Sequence, residues 1–278
     1  MVMPLRTWIP RLLYKRWLFI CTISFFALVI RIAVALALGT YDFSPHDNHF
    51  AFGYEWGRIA QHLVERHIFS FDGHSSTAIT DPLYVFIIAL FFRVLGVYSM
   101  EAALALIALQ TCLCALATWT IYVLGERLYG TTEARLSAFL FASYPVSVFF
   151  SVNRVGPSSL IVLLSCLVFL TIFIFQRSKR YRWAGLSGVF TGLLVLTSSK
   201  TLILFLTVPI WLTLTMSWSR LRVGVPLYVA AAVLVILPWT VRTSSVLGQA
   251  SFGKANFGYH VWLGNNPYAL ASYRSGVI

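Results

Sequence analysis

The sequence predicts an all-α fold, a polytopic bundle of transmembrane helices, and three observations predict it. Of the 278 residues, 59% are hydrophobic and only 11% are charged, whereas an ordinary soluble domain carries about a quarter charged residues. Apolar runs long enough to cross a hydrocarbon core of about 30 Å, which takes roughly 20 helical residues, recur along the whole chain. The runs are continuous, rich in Leu, Ala and Phe, and lack the period-two alternation of an outer-membrane barrel. Backbone groups in lipid must pair internally, so such runs form helices.

The first of them, Trp17 to Gly39, follows Arg6, Arg11, Lys15 and Arg16. It exceeds the 7–15 residues or so of a signal-peptide core, so it reads as an uncleaved first helix with a cytoplasmic N-terminus. A polar stretch from Thr40 to Asp81 comes next, then apolar segments near 82–98, 102–124, 134–152, 158–176, 183–199, 201–217 and 224–240. The basic clusters Arg177-Lys179-Arg180-Arg182 and Arg220-Arg222 belong on the cytoplasmic side. The tail after Pro238 is then external, on the same face as the 40–81 loop. An external loop followed by an internal cluster at 177–182 needs an odd number of crossings, yet four segments lie between them. The 82–98 run, short and interrupted by Arg93, is the weakest; a broken helix made of another pair is the alternative. The expectation is about seven crossings in one module covering 1–278, with an external loop at 40–81 and an external tail at 241–278.

The formal charge of +12 does not mark a nucleic-acid protein, because Lys and Arg stand at the ends of apolar segments instead of on one basic face. There they orient helices and meet lipid phosphate. Arg31 differs: it lies deep in the first helix, where an unpaired charge costs at least ~2.5 kcal/mol, so it must face the bundle or snorkel outward. Cys21, Cys112, Cys114 and Cys166 all fall in apolar segments and show neither a disulfide framework nor metal-ligand spacing.

Polar chemistry concentrates in the loop. It holds Asp42, Asp47, Glu55, Glu65, Asp72 and Asp81, six of the nine acidic residues, with His46, His49, His62, His67 and His74. Within it Phe52, Trp56, Ile59, Leu63 and Val64 recur at helical spacing, with Glu55, Arg58, His62, Glu65 and Arg66 between them. This pattern predicts an amphipathic helix lying in the interface plane, its apolar stripe in the acyl boundary and Glu55, Arg58 and His62 facing a cavity above the bundle. His46 and His49 flank no HExxH-like spacing, so no metal site is expected. No cofactor is obligatory, and nothing indicates a divalent cation.

The order of parts resembles the membrane-embedded GT-C glycosyltransferases, the polyprenyl-phosphate-sugar transferases that include protein O-mannosyltransferases and the lipid A aminoarabinose transferase. The likeness spans nearly the whole chain. It rests on the in-plane helix (GYEWGRIAQHLVERHIFS), Asp81-Pro82-Leu83-Tyr84, the Leu-Gly-Glu-Arg-Leu-Tyr-Gly turn at 124–130 and Ala142-Ser143-Tyr144-Pro145. Its most specific part is the C-terminal PWTVR with NFGYHVWLGNNPYA. The resemblance implies an inverting transfer from a polyprenyl-phosphate-linked sugar on the external face of the cell membrane, with a loop carboxylate as general base. Glu55 ranks first, because a helix fixes its direction, ahead of Asp47 and Asp42. Arg58, Lys200, Arg154 and Arg242 are the cations that can meet the donor phosphate, although charges at segment ends also serve as interfacial anchors. His62, Tyr84, His260, Asn265 and Asn266, with Gly258, are candidates to line the substrate site.

The chain also departs from the family pattern. Asn153-Arg154-Val155-Gly156-Pro157 carries no carboxylate after the Tyr-Pro helix end, Leu196-Thr197-Ser198-Ser199-Lys200 replaces Leu-Thr-Arg-Pro or Leu-Thr-Lys-Gly, and Thr243 replaces an Asn. Many relatives continue through further helices beyond the point corresponding to Ile278. The alternative is therefore a catalytically degenerate subunit that binds a lipid-linked sugar or a partner membrane protein. A transporter is disfavoured, since no inverted repeat is visible.

Overall fold

The computed structural model describes residues 8–40, 52–178 and 180–248, together with Trp262 and Asn265. Among the described residues there is no strand. The elements are α1 (Trp8–Leu38), α2 (Tyr54–Arg66), α3 (Pro82–Leu95), α4 (Met100–Leu128), α5 (Thr131–Ser143), α6 (Pro145–Asn153), α7 (Ser158–Ser178), α8 (Arg182–Thr197), a 3-10 turn (Ser199–Ile203), α9 (Leu204–Thr215) and α10 (Trp218–Leu247). Among the described residues, four stretches are long and apolar enough to cross a membrane: Arg16–Leu38, Met100–Leu128, Ser158–Ser178 and Trp218–Leu247. The α5–α6 pair makes a fifth if its two arms, bent by 43°, count as one span. The bend falls at Tyr144-Pro145, where the proline ring lacks an N–H and restricts the residue before it. The last helix continues through Pro226 and Pro238 to Leu247, nine residues past Pro238 and into the 241–278 stretch expected as tail.

One end of the bundle gathers the basic clusters. Arg16 pairs with Glu126 at 2.7 Å, joining the start of the α1 span to the end of α4. Arg220 donates to the Gln176 carbonyl at 3.2 Å, and the Gln176 amide donates to Thr215 at 2.7 Å, joining the ends of α7 and α9 to the start of α10. At the opposite end, α2 and α3 cap the bundle over a core that includes Phe52, Ile59, Val85, Ile88, Phe92, Leu106 and Val155. The Phe52, Phe92 and Tyr98 rings meet at 5.0–5.4 Å. The apolar side of α2 is therefore seated on α3 and α4, not in the acyl boundary as its pattern alone predicted, because Ile59, Ala60, Trp56, Leu63 and Val64 join the protein core. α3 is only 14 residues long, about 21 Å, and runs beside the first third of α4.

The tightest helix pair is α8 with α10. Gly188 and Gly192 occupy one face of α8, one turn apart, and let the backbones touch: a Cβ on Gly188 would collide with the Tyr228 carbonyl oxygen, and one on Gly192 would lie 2.6 Å from the Val235 Cβ. Small residues at such a spacing are the usual means of close helix approach where lipid supplies no hydrophobic drive. Polar side chains tie α8 and α10 to each other and to their neighbours α7 and α9. Thr191 and Tyr228 share a hydroxyl bond at 3.1 Å, Tyr228 donates to the Leu204 carbonyl at 3.1 Å, and Ser187 donates to the Val168 carbonyl at 3.2 Å.

Of the two placements open to Arg31, facing the bundle or snorkelling outward, the structure shows the first, and the side chain is fully buried. It donates to Ser151 Oγ at 3.1 Å, Ser147 Oγ at 3.1 Å, the Ala27 carbonyl at 3.0 Å and the Ala142 carbonyl at 3.2 Å. Ala142 stands just before the break at Tyr144-Pro145, where helix hydrogen bonding is interrupted, so a side chain from α1 takes the place of a backbone donor.

Candidate functional site

The site is assembled where the 67–81 loop, α3, the end of α8 and the end of α10 converge. α2 starts at Gly53 in a left-handed conformation (φ 68°), and a Cβ there would strike the Trp56 ring. It stops at His67, also left-handed (φ 57°). The chain then folds back on α2: His62 Nδ1 bonds the Ser70 carbonyl at 3.0 Å and Arg66 donates to the Gly73 carbonyl at 2.9 Å. Asp72 ties the loop tip. Its carboxylate accepts from Ser70 Oγ (2.8 Å), His74 N (2.9 Å), Ser75 N (2.9 Å) and Ser75 Oγ (2.7 Å). These donors, the Ser75 and His74 amides foremost, hold the carboxyl well below the usual carboxylate range. Because the folded-state value is the depressed one, the knot's contribution to stability is full above the ordinary carboxylate pKa of about 3.9 and is lost as pH falls from there through the lower folded-state value. Backbone hydrogen exchange at 73–75 should thus be flat from pH 5 to 8 after correction for intrinsic rates. In Asp72→Asn it should be faster at every pH.

Arg242, near the end of α10, clasps this loop. It donates to the Thr77 carbonyl at 2.6 Å and to the Phe69 carbonyl at 3.2 Å, and its guanidinium lies over the Phe69 and Trp239 rings at 4.8 and 4.6 Å. The polar loop and the end of α10, expected on one face, are thereby in contact. Beside the clasp is a cavity of about 570 Å³, within the size range of small-molecule sites, about 300–1,000 Å³. Its walls are Leu63, His67, Ile68, Phe69 and Ser76, then Pro82, Leu83 and Phe86 of α3, Leu196 of α8, and Val235, Pro238, Trp239 and Arg242 of α10. It is an apolar chamber with one cation at its mouth. A second, almost wholly apolar groove of about 590 Å³ runs between α8, the 3-10 turn, α9 and the other side of α10, with Ser199 and Thr240 as its polar members.

A buried node supports the site from below. Tyr84 and the Gly156 amide donate to Gln110 Oε1 at 2.7 and 2.6 Å, while Gln110 Nε2 donates to the Ser151 and Arg154 carbonyls at 2.9 and 3.0 Å. Both faces of the amide are saturated. The 153–157 segment is thus held by its backbone, and the exposed Arg154 side chain is carried on it.

Of the residues singled out in the sequence, Arg242 lines the cavity. Glu55 lies half-buried in the first turn of α2. Arg58, one turn on, donates to the Tyr54 hydroxyl at 3.0 Å and stacks over the Tyr54 and Phe71 rings at 5.4 and 4.8 Å. His62 is turned inward onto Ser70, and Tyr84 is buried on Gln110. Lys200 is exposed at the 3-10 turn, and Asn265 is exposed. Asp42, His46, Asp47, His49, Gly258, His260 and Asn266 lie outside the described residues. The sequence reading passed over Gln110, whose signal was a single strongly polar side chain inside an apolar run. Asp81, named in the sequence among the loop's acids and in the Asp81-Pro82-Leu83-Tyr84 motif but given no site role, is buried immediately before the cavity wall at Pro82.

A family model described as dolichyl-phosphate-mannose-protein mannosyltransferase matches residues 78–241, more than half of the chain. The chain belongs to that family. No curated protein matches it. The mannosyltransferase-family match runs from the segment before α3 to Val241. It takes in Tyr84, Gln110, Arg154, Lys200 and the α3, α8 and α10 walls of the cavity, up to Trp239. The chain is therefore a member of a membrane glycosyltransferase family whose donor is a lipid-linked sugar, in keeping with its long apolar helices.

Proposed function

We propose that the protein transfers a sugar from a polyprenyl-phosphate-linked donor to an acceptor hydroxyl on the external face of the cell membrane, with inversion at the anomeric carbon. The observation that carries this reading is the open apolar chamber lined by Arg242, whose α3, α8 and α10 walls up to Trp239 lie in the segment that matches the mannosyltransferase family. A sugar phosphate held there meets a fixed guanidinium, while the apolar groove along α9 and α10 has the length and character to take prenyl units.

In the transfer, a loop carboxylate takes the proton of the acceptor hydroxyl as its oxygen attacks the anomeric carbon. The bond from that carbon to the phosphate oxygen breaks, and polyprenyl phosphate leaves with the electron pair. Charge rises on the phosphate, where Arg242 offsets it, and on the ring, where a carboxylate offsets its oxocarbenium character. Glu55 is the proposed base, with Asp47 and Asp42 next. Arg58, Arg154 and Lys200 are the further cations that can meet the phosphate. No metal is required for this step.

The topology that fits is seven crossings: α1, α4, α5 with α6, α7, α8, the 3-10 turn with α9, and α10. α3 is left over because it lies beside the outer third of α4. The N-terminus is then cytoplasmic, α2 lies in the interface, and the loop and the end of α10 are external.

The test uses purified protein in native lipid. Glu55→Gln should reduce transfer by ~10²-fold or more, the usual worth of a general base, with donor binding retained. Unchanged transfer would assign the base to Asp47 or Asp42. The absence of a carboxylate from 153–157 favours one second reading, a lipid-sugar-binding subunit that works with a partner membrane protein.

A further inference from the structure

Away from the chamber, a smaller cavity of about 300 Å³ opens at the α5–α6 break, between α6 and the start of α7. Ser147 and Ser151 form one wall and Ser158 and Ser159 the other, with no acidic residue among its lining. The first wall is backed by Arg31, which donates to both of its serine hydroxyls at 3.1 Å. Among the described residues every partner of that guanidinium is neutral: two hydroxyls and two backbone carbonyls. Arginine stays protonated in proteins, so a full positive charge is enclosed with no carboxylate of the described residues bound to it. The second wall is the first turn of a 21-residue helix, whose amides lack intrahelical acceptors and carry partial positive charge. Two sources of positive potential, one of them behind the Ser147–Ser151 wall, thus face one largely apolar cavity that carries four serines.

The position of the cavity selects the kind of anion. Ser151 and Ser158 flank the 153–157 segment, so its mouth lies within about two helical turns of that end of the bundle, the level of lipid headgroups. Its rim is apolar and open, with Tyr144 53% and Phe150 48% exposed. A soluble anion has no use for such a rim, whereas an acyl or prenyl chain does.

We infer that this cavity binds the phosphate of an anionic membrane lipid, received by the Ser147 hydroxyl and the α7 amide end under the charge of Arg31, with the lipid chain lying against Tyr144 and Phe150. A glycerophospholipid and a polyprenyl phosphate present the same group. This site is separate from the Arg242 chamber and does not depend on the proposed transfer reaction.

The test places charge in the cavity without touching Arg31. Ser158 is exposed at the start of α7, where either Glu or Gln is accommodated. Wild type, Ser158→Glu and Ser158→Gln would be compared by native mass spectrometry after titration with phosphatidylglycerol or undecaprenyl phosphate. Wild type should retain one tightly bound lipid that Ser158→Glu binds at least tenfold more weakly, while Ser158→Gln stays within a few fold. The lipid lost identifies the source. Arg31→Gln should weaken the same lipid, but Ser158→Glu is decisive because it leaves the Arg31 bonds intact. Equal affinity of wild type and Ser158→Glu for both lipids would overturn the assignment.

Discussion

Replacing Gln110 by Leu should be the most damaging single change in the protein. It removes partners from four groups at once: the Tyr84 hydroxyl, the Gly156 amide and the Ser151 and Arg154 carbonyls. Leaving a buried polar group unsatisfied costs about 1–3 kcal/mol. Interhelical hydrogen bonds in membrane proteins average only about 0.6 kcal/mol by double-mutant cycles, because the reference state finds other partners. The four groups then bracket a loss of roughly 2.5 to more than 4 kcal/mol, or about 5–15 °C in melting temperature for a chain of this size. Gln110→Glu keeps the acceptor side and forfeits the donor side, so it should fall between wild type and Gln110→Leu. Thermal unfolding in detergent decides this, and a melting temperature unchanged by Gln110→Leu would mean that the node is not formed. Sugar transfer should fall with stability, because the same amide fixes the segment that carries Arg154.

The second large effect is expected at Gly188. A Val there collides with the Tyr228 carbonyl and places its Cβ 2.9 Å from the Ala231 Cβ. Backbone cannot turn aside as a side chain can, so α8 must move off α10. Overpacking alone costs about 1–3 kcal/mol, and losing the Thr191–Tyr228 bond adds to it. The displacement carries to the site because Leu196 on α8 and Val235 on α10 are walls of the same cavity. Gly188→Val should therefore abolish transfer as well as lower the melting temperature. Gly185 provides the control: its added Cβ would meet Leu227 side-chain atoms at ordinary distances of 3.5–3.7 Å. Gly185→Ala should be neutral or slightly stabilising, since Ala is the better helix former. If both substitutions behave alike, close backbone approach is not what holds this pair.

The apolar runs and the helix at 54–66 were legible because each follows from local pattern, and solvation cost narrowed Arg31 to facing the bundle or snorkelling outward without deciding between them. Charge placement put the polar loop and the segment after Pro238 on one face, but their contact through Arg242 was not legible from it. The break at Tyr144-Pro145 was visible as a motif but not as a bend, because the hydropathy of 134–152 runs straight through it. The extent of α10 past Pro238 was hidden for the opposite reason: a proline reads as a stop unless packing supports the helix on both sides. At the site, Arg242 could be picked out as a cation beside Trp239, but its two carbonyl partners at Phe69 and Thr77 lie some 165 residues or more away in sequence. The Gln110 node has the same character. Its partners come from three segments, and no spacing rule joins them. His62 and Tyr84 were noticed as polar residues in a suggestive place, and the fold binds both side chains to internal partners.

The most direct measurement is transfer of radiolabelled sugar by the purified wild-type protein, in native lipid, from a panel of polyprenyl-phosphate sugars. The account predicts that at least one donor releases its sugar to an acceptor and leaves stoichiometric polyprenyl phosphate. Firm binding of these donors with no release of sugar from any of them would contradict it.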